Sequence, residues 1–178
     1  MNNTIYLSNL LKIYIEEKDI KKDILFLCIG TDRCIGDALG PIVGSTLKKK
    51  GFRNVLGTIY QPVHAENIYE AIEIIGKEYK DKTIIAVDSS LAFNPNNVGK
   101  IRVRNLALSP GAGVGRYLPK VGDISITGNV GIMAEGLEGL TSQSIRLSYV
   151  CTLANEIVDI ISLALGEEII EDELKFAQ

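Results

Sequence analysis

Two aspartates stand where a carboxylate is hard to keep charged. Asp37 follows an apolar stretch in CIGTDRCIGDALGP, and Asp88 ends another in IIAVDSSLA. An aspartate directly after a fully apolar strand is poorly solvated unless something nearby compensates. Two carboxylates brought together in such a place cannot both ionise cheaply, so one pKa rises and the pair supplies a general base and a general acid together. The plainer alternatives are structural. Asp37 would cap the following helix, accepting early backbone N–H groups, and Asp88 would cap a turn through Ser89 and Ser90. Spacing alone leaves both readings open.

The other reactive residue types give weaker patterns. Gly30, Gly36 and Gly40 follow a strand and lead into a helix, but their spacing is not the dinucleotide fingerprint, and no G-x-x-x-x-G-K-[ST] occurs. The run Gly111-Ala112-Gly113-Val114-Gly115 lies outside any strand-to-helix context. His64, the only histidine, falls in YQPVHAEN. A mixed site of His64 with Asp37 and Asp88 is conceivable for a divalent ion; the plainer reading is a polar group satisfied near a helix end. Ser89 and Ser90 adjoin Asp88 without a G-x-S-x-G elbow. Arg33, Arg102, Arg104 and Arg116 could form a cationic rim for an acidic substrate, although surface arginines are usually just solvated.

The elements that must position these residues alternate between short apolar runs and helical periods. A helix is expected over 4–17, with Leu7, Leu10, Leu11, Tyr14 and Ile15 at helical spacing. Residues 24–29 (ILFLCI) form a continuous apolar run, the mark of a strand covered on both faces. A helix then runs to about Lys50, with Pro41 in its first turn and Gly51 as its stop. Strand 55–60 and helix 66–79 repeat the unit, Ile68, Ala71, Ile72 and Ile75 facing inward. Residues 83–87 (TIIAV) are a third buried strand ending at Asp88. A short strand at 101–103, a glycine-rich loop at 109–118 and a strand at 123–127 follow. A long helix over 144–165 presents Leu147, Val150, Leu153, Ile157 and Ile161, and an acidic tail occupies 167–178.

This alternation predicts one α/β domain over 1–178: a three-layer sandwich with a mainly parallel sheet. Ligands in such sheets gather beyond the carboxyl ends of the strands, which singles out 30–40, 60–66 and 88–93. The chain has 178 residues, 46% hydrophobic and 23% charged, with a formal net charge of −3. That charge is small and of the wrong sign for nucleic acid. No run of about 18 uncharged apolar residues is present and no signal peptide is expected, so membrane association is not anticipated. Cys28, Cys34 and Cys151 contain no C-x-x-C pair, which fits a reducing, cytoplasmic setting. Cys28 and Cys151 read as small buried hydrophobes.

Three motifs occur in order: DALGP at 37–41, VDSSLA at 87–92 and SPGAGVG at 109–115. Together they resemble the germination protease of bacterial spores and, more distantly, the hydrogenase maturation proteases. With the CIGTDR opening, the match is most similar to the small YyaC-type sporulation proteins of spore-forming Firmicutes, over about residues 20–165. The resemblance implies a mixed five-stranded sheet with one antiparallel strand between helical layers. It implies an atypical aspartic peptidase with Asp37 and Asp88 as the catalytic pair. Backbone N–H groups around Gly111, Gly113 and Gly115 would bind the substrate oxyanion, with Ser89 and Ser109 beside them. In the hydrogenase proteases, acidic residues at the matching strand ends plus a histidine bind nickel of the immature enzyme. Here the position before the glycine-rich proline, a histidine in the germination protease, is Ser109, and no histidine lies beyond His64.

The expectation is a sporulation- or germination-associated peptidase acting on a protein or peptide without a cofactor. The alternatives are a non-catalytic regulatory or binding protein on a protease scaffold, and a metal-dependent maturation peptidase. The oligomeric state is not readable from the sequence.

Overall fold

The computed structural model describes residues 3–18, 23–111, 118–133 and 145–166. Its centre is a five-stranded sheet built from β1 (Ile24–Cys28), β2 (Val55–Leu56), β3 (Thr83–Ala92), β4 (Ile101–Arg104) and β5 (Ile124–Ile132). The spatial order is β2-β1-β3-β5-β4. β1 pairs in parallel with β2 and β3, β3 pairs in parallel with β5, and β4 runs antiparallel to β5. The helices are α1 (Asn3–Lys18), α2 (Leu39–Lys49), α3 (Ile68–Glu78) and α4 (Leu147–Ala164). The expected layered α/β architecture with a mixed sheet is therefore present.

Side-chain alternation divides the core unequally. Ile85 and Val87 of β3, Ile124 and Ile126 of β5, and Ile101 and Val103 of β4 share one face, where they pack with α1, α2 and α4. The opposite face carries a smaller cluster in which Leu27, Ile29 and Ala86 meet Ile68 and Ala71 of α3, together with Val63, Leu108 and Val121. By length and composition α4 could cross a membrane, yet half of it is buried inside this protein, with Val150, Ala154, Ile157, Ile160 and Ile161 in the core.

Several boundaries differ from the sequence expectation. β3 does not stop at Asp88 but continues to Ala92, because β5 keeps pairing with it as far as Ile132. β2 ends at Leu56 rather than Tyr60. Gly57 takes a φ of +87°, and a Cβ there would lie 1.7 Å from the Cys28 carbonyl oxygen. The chain turns between Thr58 and Gln61 and rejoins the sheet only where Val63 bridges Ile29. Leu147, expected on the apolar face of the last helix, is 51% exposed; Ile145, just ahead of α4, is buried against Gly131 instead. Gly51, with a φ of +97°, ends α2 as anticipated. Residues 112–117, which include Gly113, Gly115 and Arg116, Ser144 and the acidic tail at 167–178 lie outside the described residues.

Candidate active site

β1 is central to the site because it is shorter than its neighbour. The last register pair between β1 and β3 is Cys28 with Val87, so from Asp88 onward β3 has no strand on that side. The chain order also reverses here: β2 lies on one side of β1 and β3 on the other. That is a topological switch point, where open α/β sheets form a crevice. Asp88 sits at the crevice because β1 ends, not because β3 does.

Asp37 reaches the same place from the other direction. After β1 the chain passes Gly30, whose φ is +138°, and then makes a 3-10 turn over Ile35–Asp37. The Thr31 N–H donates to the Asp37 carbonyl at 3.0 Å, closing the loop. Gly30 permits this closure: a Cβ on it would fall 2.0 Å from the Asp37 carbonyl oxygen. Gly40 does the same for α2, since its Cβ would meet the Ile29 carbonyl oxygen at 2.0 Å. The first turn of α2 is thereby pressed onto the end of β1. Asp37 is not the helix cap. That position belongs to Ala38, which makes no side-chain cap hydrogen bond.

The two carboxylates reach one cleft from different elements, Asp37 from the 3-10 turn after β1 and Asp88 from β3. Asp88 continues the alternation of Ile84 and Ala86 toward the α3 face, and Ser89 continues that of Ile85 and Val87 toward the α2 face. Ser89 contacts both acids. Its N–H donates to Asp88 Oδ1 at 2.7 Å and its hydroxyl donates to Asp37 Oδ1 at 3.4 Å. Both acids line the cleft beyond the end of β1, and the carboxylates sense each other. Burial drives the Asp88 carboxyl well above the usual carboxylate range, and the charge of Asp37 raises it further against the Ser89 N–H. Burial also lifts Asp37 to about 6, although the Ser89 hydroxyl, the Thr31 N–H and His64 pull it back down.

His64 starts the segment leading into α3. Its Nδ1 accepts the Glu66 N–H at 3.3 Å, and its own N–H donates to Asn67 Oδ1 at 2.8 Å. It is thus satisfied near a helix end, and it also lines the cleft with Asp37 and Asp88. Among the described residues no three His, Cys, Asp or Glu side chains gather as a metal-holding group.

The cleft over these residues has a volume of about 730 Å³. Ser109 and Gly111 line it, so the start of the glycine-rich segment borders the same cleft as the aspartates. Of the arginines singled out in the sequence, Arg102, partly buried, and Arg104, exposed, line the cleft from β4, and Arg33, also exposed, lines it 3.9 Å from Glu66. The sequence reading missed Ser125 and Thr127, which face the cleft from β5. Their signal was present in ISIT, where two hydroxyl residues alternate with two isoleucines.

A family model described as "Protein of unknown function (DUF1256)" matches residues 1–160. The uncharacterized protein YyaC of Bacillus subtilis (strain 168) is 41% identical over 144 residues, which is 80% of this chain and 69% of that protein. Among solved structures, the nickel–iron hydrogenase maturation protease HycI from Thermococcus kodakarensis KOD1 superposes with a TM-score of 0.50 at 18% identity. The match covers 86% of this chain and 99% of that one. The maturation protease HybD from Thermococcus kodakarensis gives a TM-score of 0.46 at 14% identity, over 82% and 99% of the two chains. The likeness to HycI is one of fold.

Proposed function

The chain belongs to the DUF1256 family of YyaC-like proteins, and we propose that it is a sporulation- or germination-associated peptidase whose catalytic pair is Asp37 and Asp88. The observation that carries this reading is the pair itself: two carboxylates at the switch point of a protease-like scaffold, both raised, both opening on one cleft. The sporulation setting is supported by the ordered motifs DALGP, VDSSLA and SPGAGVG.

The chemistry follows from the inequality of the two acids. Asp37, the less buried, ionises first, and Asp88 keeps its proton. Ionised Asp37 takes a proton from a water held between the carboxyls as that water attacks the scissile carbonyl carbon. Asp88 gives its proton to the carbonyl oxygen, and the tetrahedral diol forms. The proton on Asp37 then passes to the amide nitrogen as the C–N bond breaks, and Asp88 recovers a proton from the diol. Gly111, at the cleft wall, is the described part of the segment expected to bind the substrate backbone beside the scissile bond.

The test is a cleavage assay on extracts of sporulating cells, read as new peptide termini, with Asp37→Asn and Asp88→Asn variants whose folding is verified. Termini that appear with the wild type and vanish with both variants support the pair and identify the substrate. If both variants cleave as the wild type does, the mechanism is wrong. If no termini appear with pH varied between about 5 and 8 and with metal added, the non-catalytic binding-protein reading replaces the peptidase.

A further inference from the structure

The face of the sheet that carries Asp88 is unevenly covered. α3 packs over the β1 and Ala86 side, through Ile68 and Ala71. On β5 and β4 the residues of the same face are polar. Register makes them two transverse rows: Asp88 pairs with Thr127, which pairs with Arg102, and Ala86 pairs with Ser125, which pairs with Arg104. The opposite face of the same strands holds Ile124, Ile126, Ile101 and Val103 in the main core. Alternation therefore fixes both guanidinium stems on the cleft side.

Among the described residues neither arginine side chain has a hydrogen-bond or ion-pair partner. The Lys and Arg ion pairs among the described residues join Arg33 to Glu66, Lys77 to Glu73 and Lys82 to Asp23, and none includes Arg102 or Arg104. Nor do these charges hold Asp88 ionised, since its carboxyl responds to burial, Asp37 and the Ser89 N–H. Arg102 is nevertheless partly buried in the wall of the cleft, where its charge has less water than at an open surface. Two strand spacings separate it from Asp88, about 10 Å. An extended peptide covers that span in about three residues.

Resting on the peptidase reading, we propose that Arg102 and Arg104 form a carboxylate-binding subsite, selecting peptides with an acidic group about three residues from the bond held at Asp37 and Asp88. A guanidinium fork binds a carboxylate in two parallel hydrogen bonds, which fixes orientation as well as charge. The hydroxyls of Ser125 and Thr127, between the arginines and β3, line the path that such a peptide follows. The carboxylate is either an Asp or Glu side chain within the substrate or the α-carboxylate of its C-terminus.

Binding tests this without any need for turnover. Four blocked alanine-based hexapeptides, carrying an internal Glu, an internal Gln, a free C-terminal acid or a C-terminal amide, are titrated into the Asp88→Asn variant and the wild type. The arginine Nε–H resonances are followed by NMR. The Glu peptide or the free-acid peptide should shift the Arg102 and Arg104 signals and bind about ten-fold more tightly than its neutral counterpart. Which of the two does so identifies the source of the carboxylate. Arg102→Gln and Arg104→Gln, whose folding is verified by thermal melts, should each reduce that preference. Equal binding of acidic and neutral peptides, or no movement of the arginine signals, overturns the subsite. A protein that shows the acidic preference but never cleaves retains the subsite and loses the peptidase reading.

Discussion

The Ser89 hydroxyl donates to Asp37 Oδ1 at 3.4 Å, linking a residue of β3 to one that follows β1. The contact is long for a hydroxyl on a carboxylate, as such bonds often are before substrate closes a site. The Ser89 N–H meanwhile holds Asp88 Oδ1 at 2.7 Å. One residue thus sets the position of both acids, and it acts on them unequally, through a side chain on the partly exposed Asp37 and through the backbone on the buried Asp88.

That asymmetry predicts a pH profile. Asp37 must ionise to act as base, so kcat/KM should rise through about pH 6, and it should fall again at higher pH as Asp88 loses its proton. Ser89→Ala removes a donor that favours ionised Asp37, and it should move the rising limb upward by somewhat less than about one pH unit. Carboxyl ¹³C NMR titration of Asp37 checks the same shift without a substrate. A limb that stays put would mean that Ser89 does not tune Asp37.

The same burial makes stability depend on pH in an unusual direction. In the unfolded chain an aspartate loses its proton near about 4, whereas folded Asp37 holds it to about 6. The folded state binds more protons in between, so this contribution is complete below the lower value and lost as pH rises through the upper one. With the partial exposure of Asp37 allowed for, the loss is about 2 kcal/mol. Asp88 adds a loss of the same sign that continues to higher pH. Urea midpoints at pH 5 and pH 7 should therefore fall for the wild type and fall less for Asp37→Asn. Parallel curves for the two proteins would show that burying Asp37 has no such cost.

The positions of the acids were legible in the sequence for partly the wrong reason. A run such as TIIAV must be buried on both faces, so an aspartate taken to end it is poorly solvated, as Asp88 is. The sequence could not reveal that β3 runs on through Asp88, because strand length there is set by pairing with β5, a long-range choice. Gly57 likewise cut β2 short through a close approach to Cys28, which no local pattern announces. The polar wall of Ser125, Thr127, Arg102 and Arg104 was visible as alternation in ISIT and IRVR. Its meaning required the register that sets the two segments side by side.

Gly30→Ala should damage the site through the backbone. A Cβ at this position would stand 2.0 Å from the Asp37 carbonyl oxygen and 3.1 Å from Pro41, at a φ of +138° that L side chains rarely adopt. Relief requires the loop to open, and with it the Thr31 to Asp37 hydrogen bond. A loss of at least about 2 kcal/mol is expected in urea denaturation. The Asp37 titration should also move toward that of an ordinary exposed aspartate. A variant with unchanged stability and titration would mean that this loop does not hold Asp37 in place.

Cys28 offers a reporter of the whole core. It lies at the end of β1, fully buried, its Cβ 3.2 Å from where a Cβ on Gly44 of α2 would stand. Burial pushes its thiol far above the ordinary value, so the reactive thiolate is suppressed twice, by access and by charge. In a Cys34→Ser, Cys151→Ser background, a thiol reagent should label Cys28 only through opening of the β1–α2 packing. Its rate should then rise with urea in step with global unfolding. Rapid labelling in native buffer would instead show that α2 lifts from β1 locally. Because Gly40 presses the same helix against Ile29, such opening would release Asp37 as well. The labelling rate of Cys28 and the titration of Asp37 should therefore change together in any variant that loosens the first turn of α2.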